Sequence, residues 1–215
     1  MNKYGKLVLR TFFYLLGLLI MAFAAALSIN TNLGIAPNSS LPYALSMVLN
    51  TKMSTCIISI SILHLVLQAI VLRQGLKWQM IAQFVVSTIF GYFIDFANWV
   101  VGDFCFPTYF GQMALLLISI LLIGLGVSMY VDASFIPSTA EGLSLAVSKA
   151  FGIKFHNAKN IQDIVTVVLA LLLGLVFLKN VVGVREGTIL SALLVGRAVK
   201  LMQKWIKPMI DKLCF

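Results

Sequence analysis

The chain has 215 residues, of which 60% are hydrophobic and only 11% are charged. A soluble globular domain is about 45–50% apolar and ~25% charged, so this composition excludes a soluble domain, and it also excludes intrinsic disorder. The net charge is +9, but the lysines and arginines lie mostly at the ends of apolar runs. That arrangement is typical of the positive-inside bias of membrane proteins rather than of nucleic-acid binding.

Six apolar runs are candidates for membrane-spanning helices. In chain order they are Phe12–Ile29, Met53–Leu72, about Trp78–Val101, a run within Phe104–Val131, about Asn160–Leu178, and a run that begins near Gly187. The sixth is the weakest, because Arg197 interrupts it and hydropathy alone also allows an interfacial helix there. The first run follows basic residues as a signal peptide does, but we expect it to be retained because it has a counterpart in the second half. The sequence therefore predicts an all-α polytopic membrane protein.

Two segments between the spans, Asn30–Asn50 and Asp132–Phe155, are apolar but rich in turn-forming residues. Each contains a proline, Pro37 or Pro137, followed by hydroxyl or amide side chains and a short helical pattern. The first segment offers the N-cap candidates Asn38, Ser39 and Ser40, and the second offers the capping box Ser138-Thr139-Ala140-Glu141.

The two halves of the chain align when one is shifted by 100 residues. The matched pairs include Ala24 with Gly124, Ser28 with Ser128, Pro37 with Pro137, Asn38 with Ser138 and, after a few inserted residues, Gly91 with Gly196. Each half has three spans, so the halves must face opposite ways. We therefore expect one membrane domain, 1–215, built as a 3+3 inverted repeat of about residues 8–102 and 110–207, a design found in secondary transporters.

The broken segments have two interpretations. If both are re-entrant, their helix N-termini bring free N–H groups and partial positive charge to the bilayer midplane, where they form a site for an anionic or polar group. Alternatively, both are surface loops whose short helices lie on the membrane.

Lysine and arginine counts predict that both termini lie in the cytoplasm. With six spans, eleven cations fall on the inner side and three on the outer side, once Lys159 and Arg197 inside spans are left out. The inner cations are Lys3, Lys6, Arg10, Arg73, Lys77, Lys149, Lys154, Lys200, Lys204, Lys207 and Lys212, and the outer ones are Lys52, Lys179 and Arg185.

Ionisable side chains at membrane depth cost about 2.5–3.5 kcal/mol each on insertion scales, so each one needs a reason. Glu141 either only closes the capping box or also offers a carboxylate to a cation, a proton or an amine. Lys159 and Asp163 share a helix face and either form a local ion pair or line a cavity. Arg185 beside Glu186 either starts a helix or holds a carboxylate. The predicted substrate-binding residues are Glu141, Lys159, Asp163, Arg185, Glu186, Asn38, Ser39, Ser40, Ser138 and Thr139.

Other polar residues are interpreted more simply. We expect Asp95 at the outer interface, Gln68 and Gln83 as helix–helix contacts, and His64 as a hydrogen-bonded side chain more often than a proton carrier. Cys56, Cys105 and Cys214 have no metal-ligand or disulfide-framework spacing. The sequence holds no Ser/His/Asp set, H-E-x-x-H, P-loop or GxGxxG motif, so we expect no enzyme, no cofactor and no metal site.

Several motifs are familiar as a set. They are Pro37-Asn38-Ser39-Ser40-Leu41-Pro42-Tyr43-Ala44-Leu45-Ser46, Phe90-Gly91-Tyr92-Phe93-Ile94-Asp95, Glu141-Gly142, Lys159 with Asp163, and Gly183-Val184-Arg185-Glu186-Gly187-Thr188. They resemble motifs of the bacterial YczE/YyaS/YitT-like integral membrane proteins, over about residues 10–205. Asn38 departs from the apolar residue or Trp that this family often has, and His156-Asn157 has no match. The resemblance implies a multi-span protein of the bacterial cytoplasmic membrane and little about a substrate.

Three functions fit these observations. The first is a transporter of a small zwitterionic or carboxylate-bearing solute, with a midplane site between the two broken segments. The second is the substrate-binding subunit of an energy-coupling-factor vitamin transporter, which would have an ATPase module as partner. The third is a non-transporting membrane scaffold, in which polar residues only hold helices together. The expected partners are the lipid bilayer, a small solute and a second copy of the chain, and not nucleic acid.

Overall fold

The structure, a computed structural model, describes residues 3–73, 75, 77–133 and 135–214, with only the backbone described for residues 3, 213 and 214. All regular structure within these ranges is helical. The helices are α1 (Lys3–Asn30), α2 (Pro37–Leu49), α3 (Met53–Leu72), α4 (Trp78–Val101), α5 (Tyr109–Asp132), α6 (Thr139–Phe151), α7 (Phe155–Phe177) and α8 (Glu186–Cys214).

Five of the described helices, α1, α3, α4, α5 and α7, are long and apolar enough to cross a membrane. The prediction of an all-α polytopic membrane protein is therefore confirmed. Helix α8 has 29 residues, which is long enough, but its lysines keep it outside this group. Whether it makes a sixth crossing stays a prediction.

The two broken segments each contain a short helix, as predicted. Helices α2 and α6 have 13 residues each, or about 20 Å at 1.5 Å per residue, against a hydrocarbon core of about 30 Å. Neither can cross a bilayer alone. Helix α2 begins at Pro37, so Asn38, Ser39 and Ser40 lie inside its first turn. The prediction that they are N-caps is wrong, because the fixed φ of proline already suits the first helical position.

The chain divides into two compact units, and each unit combines segments from both halves of the sequence. Unit 1 comprises Met1–Ala36, Phe96–Phe135 and Arg185–Phe215, and unit 2 comprises Pro37–Asp95 and Ile136–Val184. Unit 1 is built mainly from α1, α5 and α8, and unit 2 is built from α2, α3, most of α4, α6 and α7.

In unit 1, small residues let the helices approach closely. A Cβ atom added to Gly17 of α1 would lie 2.8 Å from the carbonyl oxygen of Gly126 on α5, and one added to Gly124 would lie 2.7 Å from the Ala198 side chain on α8. Ala22, Ala24 and Ala26 of α1 are also fully buried. This is the close packing expected of membrane helices, where interfaces are rich in Gly, Ala and Ser.

In unit 2, the short helices pack against long helices from the other half of the sequence. Helix α2 packs on α7 and α3, and α6 packs on α3 and α7. Helix α3 lacks a side-chain cap from its own N-cap residue, Lys52. Asp95 of α4 supplies one instead, since its carboxylate accepts hydrogen bonds from the Ser54 backbone N–H at 3.1 Å and from the Ser54 hydroxyl.

Candidate functional site

Buried polar side chains gather around the start of α6 in unit 2. Helix α4 contributes one face on which polar or small residues recur every fourth position, at Gln83, Ser87, Gly91 and Asp95. Spacing of four residues places side chains on one face of a helix. Gln83 and Ser87 of this face lie against α6, and Gly91 and Asp95 lie against the first turns of α3.

A chain of three hydroxyls joins α3, α4 and α6. The Thr139 hydroxyl donates to the Ser61 hydroxyl at 3.1 Å, and it also lies 3.1 Å from the Ser87 hydroxyl. The backbone N–H of Thr139 donates to the same Ser87 oxygen at 3.1 Å. Thr139 is 2% exposed, so these bonds form away from solvent. One of the first N–H groups of α6 is therefore satisfied by a side chain from another helix.

The N-terminus of α6 carries the capping box that the sequence predicts. The Ser138 hydroxyl accepts from the Glu141 backbone N–H at 3.4 Å, and the Glu141 carboxylate accepts from the Ser138 N–H at 3.3 Å. Glu141 is half-buried. Its carboxylate therefore stays at the start of the helix, where the helix dipole stabilises negative charge.

One turn further along α6, two hydrogen-bonded glutamine side chains pack against the helix. The Gln68 amide of α3 donates to the Gln83 carbonyl oxygen of α4 at 3.3 Å, and both residues are buried. A Cβ atom at Gly142 would lie 2.5 Å from the Gln68 amide nitrogen and 2.5 Å from the Gln83 oxygen. Gly142 is therefore the position that allows this amide pair to lie directly on α6. The expectation that Gln68 and Gln83 connect helices is confirmed.

Helix α7 adds an amide and both signs of charge. The Ser144 hydroxyl of α6 donates to the Gln162 side-chain oxygen. Lys159 and Asp163 form the predicted ion pair, with side chains that are 27% and 28% exposed. A side-chain hydrogen bond therefore joins α7 to α6, and the ion pair lies on the same helix.

The predicted site residues fall into separate places. Glu141, Ser138 and Thr139 lie together at the start of α6, with Lys159 and Asp163 on α7 in the same unit. Asn38, Ser39 and Ser40 also belong to unit 2, but the Ser40 hydroxyl donates to the Pro37 carbonyl oxygen of its own helix at 2.7 Å. Within the described residues, no hydrogen bond joins these three residues of α2 to α6. Their role in binding stays a prediction.

Arg185 and Glu186 belong to unit 1, where the start of α8 is hydrogen-bonded to the loop of residues 31–36. The Arg185 guanidinium donates to the Asn32 carbonyl oxygen at 2.8 Å and lies 3.5 Å from the Glu186 carboxylate. The Gly187 N–H donates to the Leu33 carbonyl oxygen at 2.7 Å. Both charged side chains are about half exposed, at 52% and 47%. Their role in solute binding also stays a prediction.

The structure adds polar residues that the sequence did not single out, namely Ser61, Ser87 and Ser144. A serine within an apolar span does not by itself indicate a binding site. Its hydroxyl can bond to a carbonyl oxygen of its own helix, whichever side of the helix it lies on. The available signal was the four-residue spacing from Gln83 through Ser87 to Asp95. Asp95 is a further difference, since it caps α3 rather than only facing the interface.

Comparison with known proteins places the chain in a family. The model described as "Family of unknown function (DUF6198)" matches residues 8–204. The chain is 29% identical over 192 residues to the "Uncharacterized membrane protein YczE" of Bacillus subtilis (strain 168), covering 89% of this chain and 84% of that protein. No solved structure matches the chain. The resemblance to YczE-like membrane proteins is therefore confirmed, and neither description states an activity.

Proposed function

We propose that this chain, which belongs to the DUF6198 family of unknown function, is a transporter rather than an enzyme, and that it carries a small zwitterionic or carboxylate-bearing solute. The binding site is the polar cluster at the start of α6. The observation that supports this proposal most strongly is the set of side-chain hydrogen bonds that joins α3, α4 and α7 to α6, a helix of only 13 residues.

Placing polar groups at membrane depth costs free energy, so this cluster needs a functional reason. Non-helical backbone at membrane depth is tolerated only where it is buried in protein or lines a wet cavity. Polar and ionisable side chains at that depth usually mark solute or ion pathways. A short helix that starts among hydroxyl and amide groups meets both conditions, because the side chains that bond to its first N–H groups can exchange those partners for a solute.

The charges around α6 suit a solute that carries both signs. Glu141 offers a carboxylate to an ammonium group, and the Lys159 ammonium can pair with a carboxylate when it leaves Asp163. Lys159 is the fifth residue of α7, so the pair lies near one end of the span rather than at its centre. A partly exposed i, i+4 pair contributes only about 0.5 kcal/mol, so a solute carboxylate can replace Asp163 at low cost in free energy.

The packing in unit 2 supports an inverted repeat. Suppose that α2 corresponds to α6 and that α3 corresponds to α7. A two-fold symmetric repeat then predicts that α2 packs on α7 and that α6 packs on α3. Both pairs are present, as are α2–α3 and α6–α7. Secondary transporters with inverted repeats place their solute at discontinuous helices of this kind.

The lysines of unit 2 support the proposed orientation, with both termini in the cytoplasm of a bacterium. Lys77 follows α3 and Lys149 lies near the end of α6, and charge counts assign both to the inner side. The two side chains line one cavity, so they lie at the same end of unit 2.

Thermal unfolding of the purified protein across a panel of amino acids, organic acids and vitamins tests the proposal. A ligand at 100 times its dissociation constant stabilises by about 2.7 kcal/mol. We expect at least one zwitterionic or carboxylate-bearing compound to raise Tm in the wild type, and Glu141→Gln and Lys159→Ala to abolish the rise. Asp103→Asn, an exposed carboxylate of unit 1 outside the predicted site, is the control and should keep the rise. A panel without a stabilising compound would favour a non-transporting membrane scaffold.

A further inference from the structure

A second polar feature of unit 2 is a cavity of about 210 Å³ beside the Gln68–Gln83 pair. It lies between the end of α3, residues Gly75 and Lys77, the first turns of α4 and the C-terminal part of α6. Its polar lining consists of Gln68, Lys77, Gln79, Gln83 and Lys149. We infer that this cavity binds a phosphate group, carried either by a soluble phosphate ester or by the head group of an anionic phospholipid. This goes beyond the proposed transport, since binding here requires no movement of solute.

The charge of the cavity has one sign. The lining includes two cationic residues, Lys77 and Lys149, and none of the described residues that line it is acidic. A phosphate monoester carries about −1.5 to −2 at pH 7 and has three strong acceptor oxygens. A lysine ammonium binds such a group as a point charge with three rotatable donors. Two lysines therefore match a phosphate monoester in charge, whether it is a soluble ester or the head group of phosphatidic acid, whereas a carboxylate carries only one negative charge.

Gln68 and Gln83 form the floor of the cavity and supply uncharged hydrogen-bond donors. Gln68 and Gln83 are only 3% and 7% exposed, and they hold each other through the bond at 3.3 Å. That bond uses the oxygen of Gln83 and leaves its amide N–H₂ group to donate to a ligand. Buried amides that hold each other by a hydrogen bond are oriented before a ligand binds, which lowers the entropy cost of binding an anion.

The remaining lining is apolar and suits the carbon part of a phosphate ester. Ala69, Leu72 and Met80 contribute this surface. A site with a few convergent polar groups and an apolar wall is typical of small-molecule pockets. The same wall can accommodate the glycerol portion of a phospholipid, and basic pockets at the cytoplasmic end of membrane helices are known to bind lipid head groups.

Equilibrium binding to the purified full-length protein in detergent tests this inference with two labelled probes. The probes are glycerol phosphate and dihexanoylphosphatidic acid, measured in a scintillation proximity assay at constant ionic strength. Glycerol and dihexanoylphosphatidylcholine are the competitors without net negative charge. The variants Lys77→Gln and Lys149→Gln each remove one cation from the cavity. Both residues are exposed, so neither change disturbs the fold.

We expect saturable binding of at least one anionic probe, weakened about tenfold by either substitution, as follows from the loss of one charged hydrogen bond. Lys154→Gln is the matched control, because this exposed lysine lies near Lys149 in the sequence but does not line the cavity. Binding of glycerol phosphate assigns the site to soluble esters, and binding of the lipid probe alone assigns it to a head group. Absence of saturable binding, or equal losses in Lys154→Gln, would overturn the inference.

Discussion

Unit 1 and unit 2 each bury a pair of serines in their long helices, and the two pairs bond to different kinds of partner. In unit 1, Ser119 and Ser128 donate to backbone carbonyl oxygens of their own helix, at 2.8 and 2.7 Å, and Ser128 also lies 3.3 Å from the Val199 carbonyl oxygen of α8. In unit 2, Ser61 and Ser87 bond instead to a side chain on another helix, that of Thr139.

The two kinds of hydrogen bond place different demands on how the helices are arranged. A hydroxyl that bonds to its own helix is satisfied wherever that helix goes, so it only lets helices approach. A hydroxyl that depends on another side chain needs a specific arrangement of helices, and an unsatisfied partner in a low-dielectric interior is costly. This comparison supports the proposal that unit 2 holds the solute site and that the serines of unit 1 serve helix packing.

Adding one methyl group to a glycine gives the largest expected contrast between the units. A Cβ atom at Gly126 in unit 1 would lie 2.7 Å from the Gly17 carbonyl oxygen and 2.9 Å from the Met21 nitrogen, which are backbone atoms that cannot move aside. We expect Gly126→Ala to cost about 3 kcal/mol of unfolding free energy. Gly142→Ala in unit 2 meets only the ends of two glutamine side chains, so about 1 kcal/mol is expected. Unfolding in SDS–detergent mixtures measures both, and equal losses would remove the contrast.

Removal of the carboxylate that caps α3 should have the next largest effect. Asp95→Asn replaces a charged acceptor of two hydrogen bonds from Ser54, and hydrogen bonds to charged groups contribute about 1.5–3 kcal/mol. We expect a loss of about 2 kcal/mol in the same unfolding assay. Asp103→Asn, in the exposed α4–α5 connection, is the control and should change little. An Asp95 variant as stable as the control would mean that α3 needs no cap.

Deleting one hydroxyl from each unit compares the two bonding patterns directly. Thr139→Val keeps the side-chain shape but removes bonds to Ser61 and Ser87, so a loss of about 1–2 kcal/mol is expected. Ser128→Ala removes bonds to backbone carbonyls only, and we expect a loss of about 0.6 kcal/mol. The ratio of the two losses is the informative quantity, and a larger loss for Ser128→Ala would reverse the comparison.

The ion pair of α7 should matter least for stability. Lys159→Met breaks a partly exposed i, i+4 pair with Asp163, which contributes about 0.5 kcal/mol. We expect Tm to change by about a degree or less, while stabilisation by a zwitterionic ligand is lost. A large loss of stability without a loss of ligand response would make the pair structural.

Much of the fold could be predicted from the sequence because charges and turn residues mark its boundaries. Helices α3 and α4 have the predicted bounds, Met53–Leu72 and Trp78–Val101. Helix α1 begins earlier than the apolar run, at Lys3, and α7 begins at Phe155 rather than near Asn160. Hydropathy finds the lipid-facing part of a helix, but a helix continues through charged residues outside the bilayer.

The candidate site was less predictable. The capping box of Ser138 with Glu141 and the ion pair of Lys159 with Asp163 are local in sequence, and both were predicted. The hydroxyl bonds of Thr139 join residues 52 and 78 positions away. Such contacts depend on which helices become neighbours, and sequence periodicity alone does not give that.

The central claim is that a solute binds at the start of α6. Cysteine accessibility tests this claim most directly, because the identity of the solute need not be known. Single cysteines replace Ser61 or Ser144 in unit 2 and Ser119 or Ser128 in unit 1, in a chain whose native cysteines are changed to serine. All four positions are buried. A solute site must open to water during transport, so we expect a hydrophilic methanethiosulfonate reagent to label the unit 2 cysteines in membranes and to leave the unit 1 cysteines unlabelled. Equal protection of all four would contradict a solute site at the start of α6.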